Sequence, residues 1–138
     1  MILKKLSLDE WNIVGKEAHK LCFGEERPLE MNTFDFALMV VTEENFPLAY
    51  STNILLDNRT VYMQHGGAFP FYHGNPKILR GYHMMIAFLK ENYSRISTRI
   101  CNKNIRMLKL AMSAGLIING MDCIGNDIFL NLSWSKDN

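Results

Sequence analysis

The sequence lacks the charge imbalance that marks many nucleic-acid-binding and membrane-surface proteins. Its 15 Lys and Arg residues nearly balance 14 Asp and Glu residues, so the formal net charge is +1. A chain this close to neutral has no overall electrostatic field to attract DNA or an anionic membrane. We therefore expect neither as a partner, although a count of this kind does not reveal a local basic patch.

Long apolar runs are also missing. The N-terminal residues 1–7 turn polar too soon for a signal peptide, and no later run is long enough for a membrane span. The three cysteines, Cys22, Cys101 and Cys123, are odd in number and widely spaced, which fits neither a disulfide framework nor a zinc site. We expect them to be small buried groups. The sequence thus predicts a cytoplasmic protein without a metal site.

What is present is enough apolar surface for a core. Of the 138 residues, 48% are hydrophobic and 11% are aromatic, which excludes an intrinsically disordered chain. The length is close to the commonest size of a single domain. We expect residues 1–138 to form one such domain.

Hydrophobic periodicity predicts the order β-α-β-β-β-α-β-α-β-β. Helix starts are indicated by Ser7 three residues before Glu10, a capping box, and by Asn75-Pro76, while Gly115 suits a left-handed helix end. This order predicts an α/β protein with a single mixed, mostly antiparallel sheet flanked by helices. The predicted elements are strand 1–6, helix 8–21, strands 34–40, 48–56 and 60–65, helix 76–92, strand 95–101, helix 105–114, and strands 116–121 and 127–134.

Two details of this prediction are tested below. Strand 34–40 alternates large apolar residues with others, which indicates one buried face. Residues 66–74 interrupt the pattern after strand 60–65 and are predicted as loop, and Gly81 falls off the apolar stripe of helix 76–92.

The element order and the segment from Ile100 to Trp134 resemble the GCN5-related N-acetyltransferase family. A recurring pattern there is an Asn after the fifth strand, then a helix, then Gly-Phe. Here Asn104 stands eleven residues before Gly115, and Leu116 replaces the Phe. The stretch 104–109 is also similar to short phage-type members. The resemblance implies the mixed-sheet fold of that family, with acetyl-CoA as the co-substrate.

In the family, acetyl-CoA lies between the fourth and fifth strands, with its pyrophosphate at the N-terminus of the next helix, where backbone N–H groups favour anions. Two glycines at 66–67 would allow a ligand to approach the backbone closely, although a plain bulge and turn would explain them equally. The predicted cofactor-binding residues are Gly66, Gly67, Ala68, Phe69, His73, Gly74, Asn75, Lys77 and Asn104.

The sequence departs from the family at the phosphate end. The best match to the glycine signature is the stretch 80–85, where His83 and Met85 replace glycines. The apolar stripe from Ile78 indicates that the helix is already running there. We therefore place the phosphate end at residues 73–77, where the signature is missing.

The second departure concerns catalysis. Many members place a Tyr seven residues after the motif Asn, as acid for the leaving thiolate, and here that position is Ala111. A base for the amine is still needed, and His65 is the predicted catalytic residue because imidazole titrates near neutral pH. Tyr62, Tyr72 and Glu43 are weaker candidates.

Three functions follow from the sequence. The first is an N-acetyltransferase that transfers an acetyl group to a small-molecule or protein amine by direct attack on the thioester. The second is a catalytically degenerate binding or structural protein with the same fold. The third, a nucleic-acid-associated module using Lys103, Arg106 and Lys109, is less favoured because a helix face with such charges is usually just solvated. The acceptor would contact residues 22–33 and 121–127, and a homodimer is compatible with the sequence.

Overall fold

Seven strands form one sheet in the computed structural model, which describes residues 1–14, 34–69 and 74–137. The strand order is β1-β2-β3-β4-β5-β7-β6; β4 and β5 pair in parallel, and the other neighbours pair antiparallel. This confirms the predicted mixed sheet. The elements are β1 (Ile2–Ser7), α1 (described over residues 8–14), β2 (Phe36–Val41), β3 (Pro47–Leu55), β4 (Thr60–Ala68), α2 (Pro76–Asn92), β5 (Arg95–Cys101), α3 (Ile105–Ser113), β6 (Ile117–Ile124) and β7 (Asp127–Ser135).

The start of α1 is fixed by the predicted capping box. The backbone N–H of Glu10 donates to Ser7 Oγ at 3.2 Å, and the backbone N–H of Ser7 donates to Glu10 Oε1 at 3.2 Å. The helix therefore begins directly after β1, and this places Trp11 in the core with 0% exposure. The predicted remainder of this helix lies outside the described residues.

The sheet is covered on both faces, which corrects the prediction of one buried face for strand 34–40. Alternate residues of β2 belong to two separate clusters: Leu38 and Val40 pack with α2 and α3, whereas Met39 packs with Trp11. Successive side chains of a strand point to opposite faces, so both faces of β2 are buried. Sequence alternation is weak in such a strand.

The fourth strand is longer than predicted. It continues to Ala68 through the two glycines that were predicted to interrupt it. A Cβ atom on Gly66 would lie 3.2 Å from the backbone oxygen of Tyr50 in β3, so a glycine suits this close approach. The last hairpin is also longer, because β6 extends to Ile124.

Two further expectations were wrong. Gly81 is buried, and a Cβ atom there would lie 3.4 Å from Val40 Cγ1, so this glycine lets α2 pack close to β2. Cys123 is exposed because it lies on β6, a strand at the edge of the sheet, and Cys101 is half-buried. Cys22 lies outside the described residues.

Lys90 of α2 contacts the C-terminal end of α3. Lys90 Nζ donates to the backbone oxygen of Ala114 at 2.8 Å and lies 5.2 Å from the centre of the Trp134 ring. Ala114 is the C-cap residue of α3, and it is followed by Gly115, which has the predicted positive φ, here 97°. A cation is favourable at this negative end of a helix.

We expect Lys90→Met to lower the free energy of unfolding by about 1.5 kcal/mol, because it removes a charge-assisted hydrogen bond while keeping most of the apolar stem. Urea denaturation of the two proteins measures this difference. Lys109→Met is the matched control, since Lys109 is exposed on α3. Equal losses in the two variants would contradict the role given to Lys90.

Candidate functional site

Strands β4 and β5 separate part-way along their length. Their parallel pairing runs from Thr60 and Arg95 to Met63 and Thr98. At the last pair, the Thr98 hydroxyl donates to the backbone oxygen of Met63 at 3.0 Å. Beyond it the register of the two strands ends, while both strands continue. A gap therefore opens in the middle of the sheet.

A β-bulge marks the point where this gap begins. In the register of β3 with β4, Asn53 faces Met63 and Thr52 faces His65, so Gln64 is the extra residue. A bulge bends its strand and re-aims the side chains that follow. It therefore turns β4 away from β5 directly after their last pair.

The gap opens into a cavity of about 430 Å³ between the sheet and helices α2 and α3. This volume is within the usual range for small-molecule sites. Two cations, Arg99 and Arg106, lie in its wall, and the described lining contains no carboxylate. The cavity is therefore suited to a neutral or anionic ligand. The lining residues are Ala49, Tyr50, Ser51, Met63, Gln64, His65, Gly66, Gly67, Ala68, Gly74, Ile78, Tyr82, Met85, Thr98, Arg99, Ile100, Cys101, Asn104, Arg106, Met107 and Leu110.

The structure brings most of the predicted site residues to this cavity. Those in its wall are His65, Gly66, Gly67, Ala68, Gly74 and Asn104. Phe69 is buried elsewhere, in the cluster with Trp11. Asn75 and Lys77 lie at the start of α2 but not in the cavity wall, and His73 lies outside the described residues.

The N-terminus of α2 lies where the sequence predicts it, but its first N–H groups are already used. The backbone N–H of Lys77 donates to Asn75 Oδ1 at 3.0 Å, and that of Ile78 donates to the Asn75 backbone oxygen at 3.0 Å. Pro76 has no N–H to offer. An anion at this helix end would have to displace the Asn75 side chain or bind to side chains alone.

Asn104 has a structural role of its own. It is the N-cap of α3, and its Oδ1 accepts from the backbone N–H of Met107 at 3.2 Å. Side chains of this kind are preferred at helix starts. The motif position is thus occupied by a residue that orients α3, and α3 in turn presents Arg106 and Met107 to the cavity.

Ala111 is fully buried, with 0% exposure, in the core beneath α3. A tyrosine would need much more room at this position, and overpacking a core is destabilising. The packing of α3 against the sheet therefore leaves no room for an acidic tyrosine at position 111.

Sequence reasoning missed several residues of the wall. Arg99 occupies a polar position of an alternating strand, which by itself indicates only solvent. In the structure its guanidinium lies 3.4 Å from Asp122 Oδ2 and 4.8 Å from the centre of the Phe129 ring. Tyr82 was assigned only to the apolar face of α2, and burial there raises the pKa of its phenol.

Several solved acetyltransferases have a fold similar to that of this chain. An IAA acetyltransferase from Bacillus cereus matches with a TM-score of 0.74 at 11% identity, over 97% of this chain and 98% of that one. Mutant forms of the spermidine/spermine N-acetyltransferase SpeG from Vibrio cholerae match with a TM-score of 0.73 at 10% identity, over 99% and 95%. The chain has the GCN5-related N-acetyltransferase fold.

A third structure that matches this N-acetyltransferase fold contains a ligand. A structure from Bacillus anthracis, described as a streptothricin acetyltransferase in complex with acetyl coenzyme A, matches with a TM-score of 0.60 at 15% identity, over 72% of this chain. This chain spans 61% of that protein and 64% of a nourseothricin acetyltransferase. The sequence matches no protein-family model and no curated protein.

Two other features are absent from residues 1–14, 34–69 and 74–137. No helix there is long and apolar enough to cross a membrane. In the same part of the chain, no three His, Cys, Asp or Glu residues are grouped so that they could hold a metal ion.

Proposed function

We propose that the chain is an acetyl-CoA-dependent N-acetyltransferase whose acyl donor lies in the gap between β4 and β5. The observation that carries the proposal is the separation of these strands beyond Met63 and Thr98, with a cavity behind it. A pantetheine arm is an extended chain with amide groups, so it suits a space between two strands. Gly66 and Gly67 line this space and have no side chains to obstruct it.

The charges of the site fit an anionic donor. Arg106 lies in the cavity wall and Lys77 in the first turn of α2, which contains no acidic residue. Because the first N–H groups of α2 are satisfied by Asn75, these two side chains are the groups that we assign to the pyrophosphate. The phosphate site would thus depend on side-chain cations more than on a glycine-rich backbone loop.

The chemistry is a direct transfer. The nitrogen of a neutral amine attacks the thioester carbon, the C–N bond forms and the C–S bond breaks, and coenzyme A leaves as its thiolate. We assign the removal of the amine proton to His65, which lies in the cavity wall directly after the bulge. Thiolate needs little help as a leaving group, and proximity supplies much of the rate. The acceptor is a small-molecule or protein amine; a neighbouring structure is a spermidine/spermine N-acetyltransferase.

Acetyl-CoA should raise the melting temperature of the protein, because a ligand bound only by the native state stabilises it. At a concentration 100 times its Kd the stabilisation is about 2.7 kcal/mol, which corresponds to several degrees for a domain of this size. Differential scanning fluorimetry measures the shift. ADP is the control ligand, since it carries a pyrophosphate without the pantetheine arm. An unchanged melting temperature at millimolar acetyl-CoA would contradict the proposal.

A second candidate is a binding or structural protein that has kept the fold and lost the reaction. The buried Ala111 and the internally capped start of α2 favour it. An assay of free thiol release with a panel of amines separates the two candidates. Binding of acetyl-CoA without release of coenzyme A thiol in the presence of any amine would support this second function.

A further inference from the structure

Two side chains of the cavity wall carry a buried polar atom without a hydrogen-bond partner in the described structure: Arg99, at Nε, and Tyr82, at its hydroxyl. Arg99 still has an ion-pair partner in Asp122, whereas the hydroxyl is the only polar group of Tyr82. Tyr82 lies on α2, is only 4% exposed, and lines the cavity. Its hydroxyl is buried without a hydrogen-bond partner. Buried polar groups are nearly always hydrogen-bonded, so each exception needs an explanation.

Packing alone does not explain a tyrosine here. The side chain lies in an apolar cluster with Met63, Met85 and Ile86. Phenylalanine would fill the same space without the desolvation penalty of an unpaired hydroxyl. The hydroxyl therefore makes the ligand-free protein less stable, which is a common property of groups that act on a ligand.

Three other polar side chains of the wall each have a hydrogen-bond partner in the structure. Thr98 Oγ1 donates to the backbone oxygen of Met63, Ser51 Oγ accepts from Asn53 Nδ2 at 3.2 Å, and Asn104 Oδ1 accepts from the Met107 N–H. The Tyr82 phenol has no such partner, and its O–H can donate. Burial raises its pKa, so it stays protonated at neutral pH.

We propose that Tyr82 donates a hydrogen bond to a carbonyl oxygen of the acyl-pantetheine chain in the cavity. This inference rests on the proposed function and adds a specific contact to it. Tyr82 lies six residues beyond Pro76, the first residue of α2. At 1.5 Å per residue this is roughly 9 Å along the helix from its N-terminus, where we place the pyrophosphate. The partner is therefore within the pantetheine or acyl part of the donor, not its nucleotide.

The substitution Tyr82→Phe tests this contact because it removes one oxygen and keeps the packing. We expect the ligand-free variant to melt at the same or a higher temperature than the wild-type protein. Its Kd for acetyl-CoA should rise about five- to tenfold, the usual effect of one lost hydrogen bond. Isothermal titration calorimetry with acetyl-CoA and with S-acetylpantetheine should give the same factor for both donors.

Tyr93→Phe is the matched control. Tyr93 stacks on Phe36 with ring centres 6.2 Å apart and is not among the residues of the cavity wall. Removal of the Tyr93 hydroxyl should leave the Kd values for acetyl-CoA and S-acetylpantetheine unchanged.

Two results would overturn the inference while leaving the proposed function in place. The first is a Tyr82→Phe variant that binds both donors as the wild-type protein does, which would make the hydroxyl merely structural. The second is a loss confined to acetyl-CoA, which would place the contact at the nucleotide. If the wild-type protein bound neither donor, the proposed function would fail and this contact with it.

Discussion

Replacing Met107 by tryptophan should abolish the rise in melting temperature that acetyl-CoA produces. Met107 lies on the cavity side of α3, half-buried, and packs beside the main core. A tryptophan ring is much larger than a methionine side chain, and the space open to it is the gap into which we place the pantetheine arm. Ring and ligand would then compete for one volume, so binding should be lost rather than weakened.

Met112→Trp is the control for this experiment because it makes the same chemical change on the same helix. Met112 is 53% exposed and is not among the residues of the cavity wall. Its variant should retain the full shift with acetyl-CoA. Circular dichroism of both variants establishes that each is folded. If the folded Met107→Trp variant still responded to acetyl-CoA, the ligand would have to occupy some other part of the protein.

Features that depend on neighbouring residues could be predicted from the sequence. The capping box of Ser7 and Glu10, the Asn75-Pro76 start of α2 and the positive φ at Gly115 are all present in the structure. Each is determined within one turn of the chain, so the residue types alone are informative. These local signals placed the helices that border the site, and with them the element order.

The shape of the site could not be predicted in the same way. The Gln64 bulge and the end of pairing at Met63 and Thr98 are properties of the register between strands. No residue type at these positions signals them, since Gln64 is simply one polar residue in an alternating strand. The predicted strand therefore ended at the bulge, where β4 bends and where its following residues line the cavity.

Helical periodicity had a related limit. It correctly placed Tyr82 on the buried face of α2, but a face does not specify which neighbour each side chain meets. Tertiary contacts determine that Tyr82 lies in the cavity wall and that Ala111 is packed too tightly for a tyrosine. Helical periodicity does not reveal either. The sequence could reveal that the usual acid is missing at position 111, but not that the phenol of Tyr82 lies in the cavity wall.

The substitution His65→Ala should lower kcat by roughly 10²–10⁴-fold and leave the Kd for acetyl-CoA nearly unchanged, if His65 removes the proton of the amine. A base acts on the acceptor, whereas we have proposed that the donor is held by the strand gap, Arg106 and Lys77. Steady-state kinetics with a reactive amine give the first quantity, and calorimetry without an amine gives the second. His83→Ala is the control, because the His83 ring contacts Ser113 Oγ at 3.0 Å and lies outside the cavity wall.

The pH profile makes this test specific. If His65 is the base, its loss removes the part of the pH–rate profile that depends on its protonation state. The remaining rate should then rise with pH as the ammonium group of the acceptor loses its proton. A variant that lost both kcat and donor affinity would indicate instead that His65 supports the strand beside Gly66. A variant with unchanged kcat would remove His65 from the mechanism, because the amine would then lose its proton to another group or to solvent.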